Sequence, residues 1–334
     1  MREKLTTVII GFGKIASGYD KKMARYFEFQ NHAEIIKNHP FFELSAIVDI
    51  DEKKLKKVEQ KWKVPLVLNS IKKLKNQTFD VAVISTGPED RYNIVKSLSV
   101  KKAILFEKPV SNSVVESKKI SNFCKKNKIL AQVNLFRRAD KTKLFEQKQL
   151  KKKIGNIQSV FVIYGGGIRN NGIHIIDFLR KILGEVKTVQ SFTNLSSKSK
   201  VFNKHDFNLE FLLTFDCGLS VFFKSIDFNF YRDIYIDFWG ENGRVEIFQE
   251  GLLYKLSKIR NHRAIEGYRE LNLDDSRVRS SKLGRSYYDI YENMKDAIFN
   301  NQKLISDIEN AIKSEKIIEA IVYSASNNKK KVNV

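Results

Sequence analysis

The sequence predicts a two-domain α/β chain: a doubly wound parallel sheet, then an α+β domain with an open, mostly antiparallel sheet. Three observations carry this. Five short apolar runs alternate with amphipathic stretches over the first 135 residues. After Arg137-Arg138 the texture changes to strand-like segments of alternating polarity with Gly or Asn turns. The length of 334 residues also exceeds the roughly 250–300 at which one core stops growing.

The first strand is "LTTVIIGFG" and ends in glycines; the second, "ELSAIVDID", ends in acids. The third is "DVAVISTG", the fourth "KAILFEKP" and the fifth "KILAQVNL". Between them lie helical patterns such as "DEKKLKKVEQKW" and "SVVESKKISNFCKKNK". Continuous apolar strands separated by such helices read as a parallel sheet covered on both faces. Right-handed crossovers then give the doubly wound order of a Rossmann fold.

The second half opens on the strand "NIQSVFVIYGGG" and the helix "GIHIIDFLRKIL", closed by Gly184. Five strand-like segments follow: "VKTVQSF", "FNLEFLLTF", "LSVFFKSIDF", "RDIYIDFWG" and "GRVEIFQEG". Cys217-Gly218 and Glu241–Gly243 suit hairpin turns. "SYYDIYENMKDAIFN" and "SDIENAIKSEKIIEAIVYSA" return to a helical period. The expected boundaries are 1–130 for the Rossmann domain and 131–300 for the α+β domain. Residues 301–334 are expected to dock back on the first domain.

Composition narrows the function classes. Hydrophobic content of 42% supports sizeable cores. The net charge of +22 is spread along the chain, so it reads as a lysine-rich solvated surface. No zinc spacing and no RNA-binding aromatic signature accompanies the densest runs, "KQLKKK" and "NNKKKVNV". Specific nucleic-acid binding is therefore not expected. Cys124 and Cys217 form no CxxC pair, so neither a metal site nor a disulfide framework is indicated. No apolar run reaches the roughly 18 residues of a membrane span. A cytoplasmic protein is expected.

The first strand–helix junction reads Gly11-Phe12-Gly13-Lys14-Ile15-Ala16, the G-x-G-x-x-A form of the dinucleotide fingerprint. Gly11 permits the turn, Gly13 lets the backbone approach a pyrophosphate, and Ala16 packs helix on strand. The helix N-terminus adds N–H groups and positive dipole. Asp49 ends the second strand, where a carboxylate accepts bonds from a ribose and repels a 2′-phosphate; this favours NAD over NADP. Thr86 ends the third strand and is assigned to the same cofactor. The segment "SGYDKKMARYFEFQNHAEII", with Tyr19, Asp20 and His32, delays Asp49 beyond the usual spacing. It reads as an insertion that either lines the ligand or packs as a loop.

Together, "GFGKIA", "VDID", "EKP", "FRRAD" and "GNIQSVFVIYGGG…NNGIHIIDFLRKILGEV" resemble the glucose–fructose oxidoreductase / inositol dehydrogenase / rhizopine-catabolism family (Gfo/Idh/MocA) over essentially the whole chain. The resemblance implies hydride transfer between a nicotinamide cofactor and a hydroxyl-bearing carbon of a sugar, cyclitol or nucleotide-sugar. It implies a homo-oligomer, dimer or tetramer, formed through the open sheet. It places Lys108 of Glu107-Lys108-Pro109 beside nicotinamide and substrate, with Pro109 often cis. An ammonium there polarises the reacting oxygen or relays its proton. It makes His174 of the H-x-x-D pattern the proton acceptor, with Asp177 orienting or packing. Glu107 is assigned with Lys108 to the cofactor.

Inositol-dehydrogenase-like members carry an aspartate where this chain has Asn170, and an amide cannot serve as a base. Members with Asn there resemble nucleotide-sugar dehydrogenases of bacterial surface-polysaccharide pathways, as do "GYD" and "NHA". Arg137 and Arg169 are candidates for a uronate or phosphate, since a guanidinium binds either bidentately. Tyr164 is a candidate to face the substrate, and Gly165–Gly167 to let their loop pass close to it. Two alternatives stay open: a dehydrogenase of a free cyclitol or monosaccharide, and a nicotinamide-binding regulator or scaffold without turnover.

Overall fold

The computed structural model describes residues 4–18, 26–195, 201 and 206–334. Tyr19 and Asp20 lie outside the described residues. The chain divides into two compact units, Met1–Ala139 with Gly284–Lys313, and Asp140–Leu283 with Ser314–Val334. The first crossing thus falls after residue 139 rather than 130. The chain re-enters the first unit at Gly284, and the second at Ser314.

In the first unit, β1 (Leu5–Ile10), β2 (Phe42–Val48), β3 (Leu66–Leu68), β4 (Thr78–Ile84), β5 (Ser99–Phe106) and β6 (Leu130–Val133) form one sheet. All its pairings are parallel, in the order β3-β2-β1-β4-β5-β6. Val8, Ile9, Val81–Ile84 and Ala103–Phe106 are buried, as expected for strands covered on both faces. The strand β3 was not legible in the sequence: it has three residues, all half-buried, just after Pro65.

The crossovers carry α1 (His32–Asn38), α2 (Glu52–Trp62), α3 (Arg91–Ser97) and α4 (Val114–Lys126). The Asp51 carboxylate caps α2 by accepting from the N–H groups of Lys53 and Lys54. Ser113 caps α4 in the same way, accepting from Glu116 N–H. After the glycine loop only one helical turn follows, Lys14–Gly18; the first full helix among the described residues is α1, capped by Asn31. The segment read as an insertion thus lies between this turn and the first full helix described.

The second unit contains α5 (Gln147–Ile154), β7 (Ile157–Tyr164), α6 (Ile173–Leu183), β8 (Val186–Ser191), β9 (Phe211–Phe215), β10 (Ser220–Ser225), β11 (Tyr235–Gly240) and β12 (Gly243–Phe248). Then come β13 (Leu253–Asn261), β14 (Arg269–Asn272) and β15 (Val278–Ser280). The strand β16 (Val332–Asn333) pairs at the far edge with β8. The sheet runs β14-β13-β12-β11-β7-β10-β9-β8-β16, with β15 beside β13. Among the described residues of this sheet, only β7 and β10 pair in parallel. In β13 the interleaved Lys, Ser and Arg leave no clean period of two, which is why the sequence did not announce it.

The helix α7 (Ser286–Asn300) packs in the first unit, where Phe136 stacks on Tyr287 and Phe29 on Tyr288. The last helix, α8 (Ile308–Ser326), runs from the first unit into the second. No described helix is long and apolar enough to cross a membrane.

Candidate active site

The glycine loop is shaped by what each position must avoid. Gly11 has φ +85°, and a Cβ on it would sit 2.8 Å from the Thr86 nitrogen. Its N–H donates to the Val48 carbonyl at 2.8 Å, tying loop to sheet. A Cβ on Gly13 would meet nothing within 4 Å, so the loop's front is open there. Ala16 is fully buried, and Phe12 packs edge-on against Trp62 at 6.3 Å. Lys14 is exposed and Ile15 half-buried.

Asp49 is 8% exposed and braces this loop. Its carboxylate accepts from Phe12 N–H at 2.5 Å and Asp51 N–H at 2.9 Å, with the Lys54 ammonium 3.9 Å away. A carboxylate offers about four acceptor positions, so two such bonds leave room for ribose hydroxyls. Thr86 is half-buried, and its Oγ1 is enclosed with no partner among the described residues. An open front at Gly13, an acid just after β2 and an unmatched hydroxyl just after β4 suit the pyrophosphate, ribose and adjoining groups of a nicotinamide dinucleotide.

The strand β5 delivers Glu107-Lys108-Pro109 to the sheet's carboxyl edge. The Lys108–Pro109 peptide is cis, and Lys108 is half-buried. Glu107 departs from its expected part in cofactor binding. Its carboxylate accepts from Asn134 Nδ2 at 2.6 Å and lies 3.0 Å from His32 Nε2. The other nitrogen of His32 lies 2.8 Å from the buried Tyr291 hydroxyl. With Nε2–H donating to the carboxylate, a neutral ring leaves Nδ1 to accept the Tyr291 proton. Burial alone would raise the Glu107 pKa, but His32, Asn134 and the nearby Lys108 charge hold it below the ordinary value. Glu107 is thus an ionised strut inside the unit. His32, the first residue of α1, belongs to this network, so the described end of the insertion packs inside the first unit.

In the second unit His174 is the second residue of α6, a helix buried along its length except at Lys181. His174 is 7% exposed. The loop before it is organised by the buried Asp206 carboxylate, which accepts from the N–H groups of Arg169 and Asn170, both at 2.9 Å. Burial raises the pKa of Asp206 against the pull of these donors. Asn170 is exposed, its amide donating to Gly166 O at 3.2 Å. Arg169 is half-buried. In the first unit, Arg137 is buried with its guanidinium 5.4 Å from the Phe136 ring centre.

The expectation for Tyr164 also needs correction. Tyr164 is fully buried, its hydroxyl donating to Leu209 O at 2.7 Å and accepting from Leu209 N–H at 3.0 Å. It is a core tyrosine with no face for substrate. Asp177 is also fully buried and meets Ser314 Oγ at 3.1 Å and Arg180 at 3.3 Å. That fits the packing role rather than substrate contact. The glycines 165–167 leave room for the chain itself: added Cβ atoms would strike Ile226 O and Phe228, then Asn171, then Asp206. Among the described residues no group of three or more His, Cys, Asp or Glu side chains is placed to hold a metal ion.

Sequence reasoning missed Asn134, Tyr291 and Asp206. Their partners lie 27, 259 and 36–37 positions away in the chain, and no local spacing marks them.

No curated protein sequence matches the chain. Solved structures do. Levoglucosan dehydrogenase in complex with NADH and L-sorbose superposes with TM-score 0.76 at 14% identity, over 100% of this chain and 99% of that one. The WlbA dehydrogenase of Bordetella pertussis, in complex with NADH and UDP-GlcNAcA, gives 0.73 at 15% identity over 99% of each chain. A super-repressor mutant of Gal80p from Saccharomyces cerevisiae gives 0.74 at 14% identity, over 99% of this chain and 98% of that one. At such identities the likeness is one of fold. Family models reach further: that of the oxidoreductase family's NAD-binding Rossmann fold matches residues 5–135, and that of its C-terminal alpha/beta domain matches 162–334. With both of its domains matched in order, the chain belongs to the Gfo/Idh/MocA oxidoreductase family.

Proposed function

We propose that this protein is an NAD(H)-dependent oxidoreductase acting at a secondary hydroxyl, or its ketone, of a sugar or nucleotide-sugar. The observation that carries the proposal is the Lys108 turn, fixed at the carboxyl edge of a sheet whose glycine loop has an open front at Gly13. NAD supplies the hydride acceptor when bound. The Lys108 ammonium polarises the reacting oxygen. His174 takes the hydroxyl proton as the C–H bond gives up hydride and the C=O bond forms. In the reverse direction the same proton returns to the oxygen. Asn170 orients a substrate hydroxyl, and Arg137 and Arg169 are the groups suited to a phosphate or uronate. The Asp49 carboxylate favours NAD by repelling a 2′-phosphate.

A nucleotide-sugar is preferred over a free sugar because Asn170 stands where cyclitol dehydrogenases carry an acid, and because the Bordetella structure of this fold holds UDP-GlcNAcA. Surface-polysaccharide biosynthesis in the cytoplasm is the setting proposed. A homo-oligomer, dimer or tetramer, is supported by the aromatic group Phe161, Phe222 and Phe192 on the second unit's sheet, with Phe192 and Trp239 more than 40% exposed.

The test has two steps. Mass spectrometry of ligand released from purified protein is expected to find NAD(H). Absorbance at 340 nm then follows NAD with UDP-GlcNAcA, levoglucosan or myo-inositol. A kcat/KM at least about tenfold higher for the UDP-sugar, some 1.4 kcal/mol, supports the reading. Preference for a free sugar replaces the substrate class. NADH binding without turnover of any of them favours the regulator reading, to which Asn170 and the Gal80p likeness lend weight.

A further inference from the structure

The turn carrying Lys108 is held by a residue from outside every motif. Arg91 opens α3 and is 1% exposed. Its Nε donates to Gly87 O at 3.1 Å and its Nη2 to Thr86 O at 2.5 Å. Its Nη1 donates to the carbonyls of Glu107, Pro109 (2.5 Å) and Val110 (3.3 Å). One buried guanidinium therefore joins the loop after β4 to the loop after β5. These strands are neighbours, with Ile84 opposite Phe106 and Glu107 N–H donating to Ile84 O at 2.9 Å.

The geometry points to Arg91 as a positioning residue for Lys108. The carbonyls of Glu107 and Pro109 bracket the lysine, and one side chain holds both, so the backbone on each side of Lys108 is fixed. The inference rests on the reading of Lys108 as the group that polarises the reacting oxygen. Arginine suits the task for two reasons. Its planar fork presents five N–H donors in fixed directions, whereas lysine has three at one point. Each bond from a charged donor is also stronger than one between neutral partners. Thr86 and Gly87, beside the glycine loop, are drawn into the same grip, so the loop after β4 and the lysine turn share one anchor.

The test uses the full-length Arg91→Met and Arg91→Lys variants, with hydrogen exchange, NADH titration and kinetics on NAD and UDP-GlcNAcA. Amides of residues 107–112 are expected to exchange about tenfold faster in Arg91→Met, with β1 and β4 unchanged. A displacement near 1 Å lowers turnover by roughly 100-fold, so kcat should fall by that order with NADH affinity and KM within about threefold. Arg91→Lys should lie between. Should Arg91→Met fail to fold, Arg91→Lys carries the same measurements. Wild-type exchange at 107–112 in a folded variant overturns the proposal. So does a kcat loss that merely follows a matching loss of NADH affinity. Lys108→Ala in the same assays separates the two ideas. Normal turnover there removes the role of Lys108, whereas the exchange data report on the Arg91 anchor whatever the substrate is.

Discussion

Two glycines of one loop should respond oppositely to the same methyl group. In Gly11→Ala the new Cβ would lie 2.8 Å from Thr86 N, 2.9 Å from Thr86 Cγ2 and 3.0 Å from the Ser85 carbonyl carbon, on a backbone with φ +85°. A non-glycine residue in that left-handed region costs about 1–3 kcal/mol, and forcing a methyl into packed backbone about 1–3 more. The sum is about 2–6 kcal/mol, or a Tm lower by roughly 4–24 °C in a domain of this size. In Gly13→Ala the methyl meets nothing within 4 Å, so the unliganded protein should keep its Tm. It could even gain a few tenths of a kcal/mol from a stiffer unfolded chain. The cost should appear on adding NADH, because the methyl fills the space that the pyrophosphate needs. Affinity should fall about tenfold or more, at least 1.4 kcal/mol. Differential scanning calorimetry and a fluorescence titration with NADH measure the two effects. Unchanged NADH affinity in Gly13→Ala, or an unchanged melting point in Gly11→Ala, refutes the reasoning.

Lys108→Ala should lower kcat by about 10²-fold or more while NADH affinity stays within about threefold, read by steady-state kinetics and titration. Tyr164→Phe should leave turnover intact but cost about 1–3 kcal/mol of stability, because it strips the partner from the buried Leu209 N–H and C=O. Urea denaturation reads that loss; a lowered kcat at unchanged stability would restore Tyr164 to the substrate. Cys124 is buried with its thiol pushed up to about 12 by desolvation, whereas Cys217 is exposed. A thiol reagent at pH 8 should therefore label Cys217 in the native protein and reach Cys124 only on unfolding; rapid double labelling would contradict the burial.

Much of this molecule is written locally. The apolar runs of β1, β4 and β5 and the amphipathic helices between them reveal a parallel sheet, because periodicity is a property of neighbouring residues. The glycine spacing marks the cofactor loop for the same reason, and the Lys108 turn stands out by its place after a buried strand. The partners of buried polar groups follow a different rule. His32 and Tyr291 meet across 259 positions of sequence, and Asn134 reaches Glu107 across 27. No pattern announces such pairs, because the fold brings the groups together and desolvation then demands that they match. That demand moved Glu107 and Tyr164 from ligand contacts to internal supports. It also gave Arg91, a residue without a motif, its place around the lysine turn. The sequence alone determined the sheet order's ingredients and the family's motifs; only the tertiary structure decided which polar side chains are spent on holding those motifs in position.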